Sequence, residues 1–470
     1  MNTLSLCMII KDGEKYIEQC IESVMPAVAE IIIVDTGSTD STLEKIKRFN
    51  PFVYQMEWKN DFSQARNASL KHATSDYILV LDADEVIYSE DLPKLIQAIE
   101  NTNADCLTIR FHNLTCENDE NIFNIHEGLR ILKNGSYHFE GAIHEQPIFN
   151  FPDKTPITEH SGVRVKHYGY LKSNAGEKKF DRNMTILKQV LENNPQEPFH
   201  LFNMGNQYMS IGDYKTAIEY YEKADKFKDI NLAYSPHLIY RHASCLKNLR
   251  KCDECLAVAT EGLKLYPACT DLEFLRGVTL ASMKRFTLAI ESFGRCIKMG
   301  KAPQNLCFFP DTSDVRPMIE MAEVYNKMDD HYKALDYFLK AINADRRRGY
   351  LIYRIANSLN KIFPDKALVY KNLCNLFADS NHKPNAMVIA DALLNIKLLE
   401  QARLALDSHI ADDADSLFLE GRVLFYSKQY KSAFQSFKDS TCQDAGLLPN
   451  TKGRAHEYMT ACNLLCGDCH

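Results

Sequence analysis

Apolar positions in the first part of the chain switch repeatedly between the period of a strand and that of a helix. Leu4 to Ile10 reads as a buried strand, and Tyr16 to Met25 follows with Ile17, Ile21 and Val24 on one helical face. Ile31 to Val34 is the next strand and ends at Asp35; Asp40-Ser41-Thr42 then has the composition of a helix cap ahead of Leu43, Ile46 and Lys47. Phe52 to Met56 is a third strand, Phe62 to His72 a helix, and Tyr77 to Leu81 a fourth strand that stops at Asp82. Such alternation predicts an α/β domain around a mostly parallel sheet. Its ligand site should lie beyond the carboxyl ends of the strands, where Asp35 and Asp82 both fall.

Beyond about residue 180 the texture changes, and Leu, Ala, Tyr and Lys recur at helical spacing. Gly205, Tyr208, Ala217, Tyr221 and Ala224 fit one helix-turn-helix repeat of about 34 residues. Ala322, Tyr325, Ala334, Phe338 and Ala341 repeat it, as do Gly277, Leu280, Ala289, Phe293 and, more loosely, Cys296. Gly421, Leu424, Tyr430, Ala433 and Phe437 form a later copy, and weaker ones surround Ala243 (with Cys255 and Pro267) and Ala390 (with Ala402). The pattern resembles tetratricopeptide repeats over roughly residues 195–440. In such an array small residues let paired helices approach, and aromatics fill the space against the next unit. The aromatic stripes are therefore read as core. The expected organisation is an α/β domain (1–175), a helical connector (176–198), an all-α solenoid (199–445) and a cysteine-rich tail (446–470).

The 470 residues, 45% apolar and 25% charged, allow about three domains' worth of packed structure. Up to Lys179 there are 18 basic and 27 acidic residues, against 37 and 35 afterwards, so charge changes where texture does. The net charge of -7, without a basic block, argues against nucleic acid as a partner. No segment approaches the roughly 18 apolar residues of a spanning helix, and the Leu4–Ile10 run lacks the basic flank and cleavage site of a signal peptide. Fifteen scattered cysteines read as reduced thiols in a cytoplasmic protein.

Asp82-Ala83-Asp84 directly follows the apolar strand Ile78 to Leu81. Two carboxylates at a sheet edge suit a hard divalent cation, Mg²⁺ or Mn²⁺, which takes one or two carboxylates together with substrate phosphates. An Asp-x-Asp triplet alone is more often a solvated turn; the strand before it and Asp35 at another strand end give it weight.

Ile31 to Asp40, then Asp61-Phe62-Ser63 and Ala65-Arg66-Asn67, then Leu81 to Glu85, together resemble the family 2, GT-A fold glycosyltransferases over about the first 170 residues. Trp58 to Ser63, Ile143-His144-Glu145-Gln146-Pro147, His167-Tyr168-Gly169-Tyr170 and the appended repeats resemble the sublancin-type peptide S-glycosyltransferases within that group. The resemblance implies a UDP-sugar donor. Asp35 would bond uracil or ribose, with Ile10, Lys11 and Thr36 to Ser38 lining the base pocket. Lys59, Asp61 and Arg66 would support the nucleotide and its phosphates. Asp84 would bind the metal, and Asp82, with Ala83 beside it, would contact ribose or a metal-bound water. Arg66 has the planar fork that pairs with phosphate oxygens, its alternative being a salt bridge on a helix face. Glu145 is the candidate general base, which predicts inversion at the anomeric carbon, and His167 the candidate further metal ligand. Gly141 would let backbone pass close to the sugar, and His144 is given an orienting role. A clear Glu-Asp base pair, common in the family, is missing.

The leading expectation is transfer of a hexose, glucose first among them, to a peptide or protein acceptor. A cysteine acceptor would ease the base's task, since a free thiol titrates near about 8.5. A cell-surface or lipid-linked glycan acceptor, or an inactive repeat scaffold, are the alternatives. A homodimer through the repeats is expected. Cys462, Cys466, Cys469 and His470, and separately Cys252 with Cys255, have spacings that could ligate zinc or an iron-sulfur cluster, weighed against an ordinary apolar role.

Overall fold

The computed structural model describes residues 1–116, 123–171, 177–303, 306, 308–309, 311–345, 348–377, 383–407, 413–443, 448 and 450–466. The chain divides into two compact units, Met1–Met283 with Arg295–Ser313, and Lys284–Gly294 with Asp314–His470.

In the first unit, strands β1 (Leu4–Ile10), β2 (Glu30–Asp35), β3 (Phe52–Gln55) and β4 (Tyr77–Val80) alternate with helices α1 (Ile17–Val24), α2 (Thr42–Ile46) and α3 (Phe62–Leu70). There follow β5 (Glu85–Ile87), α4 (Leu92–Asn101), β6 (Cys106–Leu114), β7 (Phe123–Lys133), β8 (Tyr137–Glu140), β9 (Gln146–Phe149) and β10 (Thr158–His167). The sheet runs β3-β2-β1-β4-β7-β6-β10-β5, and β8 pairs with β9 in a separate hairpin. The β3-β2-β1-β4 half is parallel, as expected; β7 runs antiparallel to both neighbours and β10 parallel to β6. Alternation sorts the strand residues by face. Leu4, Leu6, Met8 and Ile10 join Ile31, Ile33, Tyr77 and Leu79 in a core shared with Ile17, Ile21, Leu95 and Ile99. Cys7, Ile32, Ile78 and Val80 pack on the other face with Leu70, Tyr137 and Phe139.

Helices α5 (Glu177–Asn193), α6 (Pro198–Ser210), α7 (Tyr214–Phe227), α8 (Tyr234–Asn248), α9 (Cys252–Leu265) and α10 (Thr270–Ser282) complete this unit. The segment expected as a connector is thus a packed helix. Met184, Ile186 and Leu187 of α5 share a core with Ile143, Trp58, Phe62 and Met204, joining the sheet's loops to the first repeat.

Helix α11 (Phe286–Met299) is divided between the units. The second unit stacks α12 (Val315–Lys327), α13 (His331–Ala344), α14 (Leu351–Ile362), α15 (Lys366–Leu376), α16 (Lys383–Asn395), α17 (Leu399–Asp407), α18 (Ala414–Tyr426), α19 (Tyr430–Thr441) and α20 (Thr451–Cys466) on one apolar core. Small residues do what their spacing implies: a Cβ on Gly205 would fall 2.4 Å from the Tyr221 ring, and one on Gly421 2.7 Å from Phe437.

The C-terminal segment read as a tail is instead largely helical. Ala455 and Cys462 of α20 are buried in the second unit's core, and Arg454 bonds the buried Asp391 (3.1 Å), which also accepts from Arg422 and Tyr353. Cys462 packs in this core; the Cys466 side chain, Cys469 and His470 lie outside the described residues. Cys255 is likewise core, its thiol beside the Thr279 hydroxyl. Among the described residues no cluster of three metal-ligating side chains occurs.

Candidate active site

The loops beyond β1, β2 and β4 are stitched together before any ligand is considered. Asp35 ends β2 opposite Ile10 of β1, is buried, and accepts the Ser38 amide at 3.0 Å. Thr36 bonds the Ile10 carbonyl through both its amide and its hydroxyl, each at 3.0 Å. Asp12 accepts the Thr39 amide (2.7 Å), and the Asp12 amide bonds the Ser38 hydroxyl (3.1 Å). The edge formed by Ile10, Asp35, Thr36 and Ser38 is therefore a built turn, with Lys11 exposed at its rim.

The turn after β4 holds the acidic cluster. Asp82 accepts the Glu85 amide through its carbonyl, and Glu85, fully buried, accepts the Asp82 amide at 2.8 Å, so each fixes the other. A Cβ on Gly13 would sit 3.0 Å from the Ala83 Cβ, so the loop after β1 passes close over the turn only because both residues are small. Arg66, on α3 and only 4% exposed, donates Nε to Glu145 at 2.9 Å and a terminal nitrogen to Asp82 at 2.5 Å. Its other terminal nitrogen is buried without a hydrogen-bond partner among the described residues. Arg130 of β7 pairs with Glu85 (2.9 Å) and lies 3.7 Å from Asp82.

Burial by itself would raise the Asp82 carboxyl; Arg66, then Arg130, hold it well below the usual carboxylate range. For Glu85 burial wins against Arg130, and the neighbouring Asp82 and Asp84 add to the upward push. The cluster holds more carboxylates than guanidiniums, an excess a cation would offset.

Asp84 and His167 converge. His167 Nε2 lies 3.7 Å from Asp84 Oδ1, and a Cβ on Gly169 would fall 2.6 Å from Asp84 Oδ2 and 2.7 Å from His167 Nε2. The missing Gly169 side chain thus leaves open the space both groups face. An oxygen and an imidazole nitrogen aimed at one gap fit a divalent cation of the Mn²⁺ or Mg²⁺ kind.

Glu145 stands on the β8–β9 connection, tied to α3 by the Phe62 amide on the Ala142 carbonyl (2.9 Å) and by Asn67, which bonds both the amide (2.7 Å) and carbonyl (2.8 Å) of Phe139. Gly141 and His144 take positive φ of 101° and 55°, turning the chain tightly at the residue before Glu145.

The strand-end carboxylates Asp35, Asp82 and Asp84, together with Arg66, all lie within the segment that matches Glycosyl transferase family 2, residues 5–162. The N-terminal part of the chain is a family 2 glycosyl transferase domain. Residues 201–230 and 315–348 match the Tetratricopeptide repeat. The SPbeta prophage-derived glycosyltransferase SunS of Bacillus subtilis is 29% identical over 293 residues, 59% of this chain and 67% of that protein. The TPR repeat-containing protein Synpcc7942_0270 of Synechococcus elongatus is 28% identical over 225 residues, 46% of this chain and 55% of its own. Glycosyltransferase GlyG of Streptococcus pneumoniae is 28% identical over 128 residues, 26% of this chain and 42% of its own. No described helix is long and apolar enough to cross a membrane.

Within the glycosyl transferase domain, Ile10, Asp35, Thr36 and Ser38 are gathered in one turn network, while Arg66, Asp82 and Glu145 form another. Asp61 caps α3: its carboxylate accepts the Gln64 amide (3.1 Å), the Gln64 side chain (2.9 Å) and the Ser63 hydroxyl (2.7 Å). Lys59 is exposed on the loop before α3 and is not joined to the network. Glu85 and Arg130 are site residues that motif reading passes over: Glu85 follows the acidic triplet, but Arg130 reaches it only through the β4–β7 pairing.

Proposed function

We propose that the protein transfers a hexose, glucose first among candidates, from a UDP-sugar to a peptide or protein acceptor with inversion and with a divalent cation. The supporting observation is the convergence of Asp84 and His167 on one gap, with Glu145 fixed nearby through Arg66. When bound, the cation would neutralise the diphosphate and stabilise it as a leaving group. Asp35 and the Thr36–Ser38 turn would hold the nucleoside, and Arg66's unpartnered nitrogen would take a phosphate oxygen. Glu145 would accept the proton of the acceptor thiol or hydroxyl as its sulfur or oxygen bonds the anomeric carbon and the bond to the diphosphate breaks.

Similarity to SunS and the repeats support a polypeptide acceptor. The free cysteines suit a cytoplasmic setting, and exposed Tyr332 and Leu404 on repeat helices suit a homodimer. UDP release across a donor panel, with and without chelator, tests donor and cation; intact mass of Cys- and Ser-containing peptides tests the acceptor. Turnover that survives chelation sinks the cation. Turnover on glycans and none on peptides replaces the acceptor class, and no UDP binding at all leaves a repeat scaffold.

A further inference from the structure

We propose that Asn113 and His126 are positioning residues that set His167 up as a cation ligand, an inference that rests on the metal-dependent reading above. Strand register puts the three residues together: Asn113 of β6 lies beside His167 of β10, and His126 of β7 pairs with Phe111, two residues before Asn113. The groups form a hydrogen-bonded chain. His167 Nδ1 is 2.9 Å from Asn113 Oδ1, and Asn113 Nδ2 is 2.9 Å from His126 Nδ1.

An asparagine amide has a donor end and an acceptor end, so it transmits a direction. With Nδ2 donating to His126, Oδ1 must accept from His167, which places the His167 proton on Nδ1. Nε2 is then the basic nitrogen, and it is Nε2 that faces Asp84 and the space over Gly169. The opposite direction would put a proton on Nε2 and turn a ligand into a donor. The chain is held rigidly: Asn113 is buried, and the His126 ring stacks on buried Phe111 at 4.7 Å and 11°. A histidine ligand's second nitrogen commonly bonds a carbonyl or carboxylate oxygen, fixing tautomer and ring orientation.

The full-length protein is titrated with Mn²⁺ in the presence of UDP, free Mn²⁺ being read by electron paramagnetic resonance, so that binding is measured and not turnover. Asn113→Leu, similar in volume but without an acceptor, is expected to weaken Mn²⁺ binding roughly 10- to 100-fold. Asn113→Asp keeps an acceptor for Nδ1 and is expected to bind at least as tightly as the unaltered protein. His126→Phe keeps the stack on Phe111 but loses the acceptor that orients the amide, and should fall between. Asp84→Ala separates the two readings. Binding that survives Asp84→Ala overturns the cation site itself; binding lost there but unchanged in Asn113→Leu and His126→Phe overturns the relay alone. If thermal unfolding shows that Asn113→Leu does not fold, His126→Phe decides, and binding equal to the unaltered protein overturns the relay.

Discussion

Arg66 holds two carboxylates that the fold brings together from opposite directions, so its removal is the sharpest probe of the site. Arg66→Met keeps the length of the side chain but leaves Asp82 and Glu145 facing each other without a cation between them. Breaking a buried ion pair by removing one partner costs about 3–5 kcal/mol. The Asp82 side chain is 35% exposed, so solvent screens its share and about 3 kcal/mol is the expected loss at pH 7. At about 2 °C per kcal/mol for a large unit, the unfolding midpoint should fall by roughly 6 °C. The sign with pH follows from Asp82. Its folded carboxyl titrates below its unfolded value because of Arg66 and Arg130, so the stabilisation is present above about pH 3.9 and is lost as pH falls through the folded value. The gap between the two proteins should therefore narrow on acidification below about pH 4. Circular dichroism melts at pH 7, 5 and 3 read it directly. Equal midpoints at pH 7, or a gap that is the same at pH 3, would refute the reasoning.

Four further outcomes are expected. Gly169→Ala should abolish stimulation of UDP release by Mn²⁺ with the fold retained, because the new Cβ would lie 2.6 Å from Asp84 Oδ2; unchanged stimulation would place the cation elsewhere. Glu145→Gln preserves the acceptor for Arg66 Nε and should lower kcat by about 10²–10⁴ while UDP binding is kept, as measured by calorimetry. Asp61→Ala should cost about 0.5–2 kcal/mol in denaturant melts through the lost cap, with UDP affinity unaltered; a large drop in that affinity would give Asp61 a role toward the nucleotide besides the cap. Gly205→Ala should destabilise the first unit by about 1–3 kcal/mol in the same melts, since Tyr221 occupies the space of the added methyl.

Much of the first unit is legible because β1, β2 and β4 are buried on both faces and β2 and β4 run out into Asp35 and Asp82. Leu4–Ile10 and the stop at Asp35 are found where the apolar pattern places them. Local motifs also place Asp35 and the Asp82–Asp84 turn at strand ends, and Arg66 on the helix between them. What is not legible depends on pairing between distant strands. Arg130 and Asn113 lie on β7 and β6, whose register with β4 and β10 carries them to the cluster, and no spacing along the chain records that register. Asp61 shows a different limit: a polar residue before a helix has the same local signature whether it caps the helix or faces a ligand, and the cap becomes visible only in the bonds to Ser63 and Gln64.

The repeats show the same division in a cleaner form. Gly205, Ala243, Gly277, Ala322, Ala390 and Gly421 are each followed, seven residues later, by a residue with positive φ: Gly212, Arg250, Lys284, Asp329, Lys397 and Lys428. The small residue sets the approach of two helices, and the left-handed residue ends the first of them, so both belong to one geometric device. Only one of these six turns uses glycine, which is why the turn itself is silent in the sequence while its small-residue partner is not. The pair α14 and α15 escapes the reading because it lacks both marks. Ser358 stands where Gly or Ala stands elsewhere, and the connection runs through Phe363-Pro364-Asp365, where Asp365 caps α15 by accepting the Ala367 amide at 2.9 Å. Proline cannot continue the first helix and the aspartate starts the next, so the same hairpin is made by different chemistry. The copy missing from the recognised array between Ala322 and Ala390 therefore reflects a change in how a turn is closed, and not an interruption of the stacked core, to which Leu359, Val369 and Leu373 contribute alongside Phe338 and Phe418.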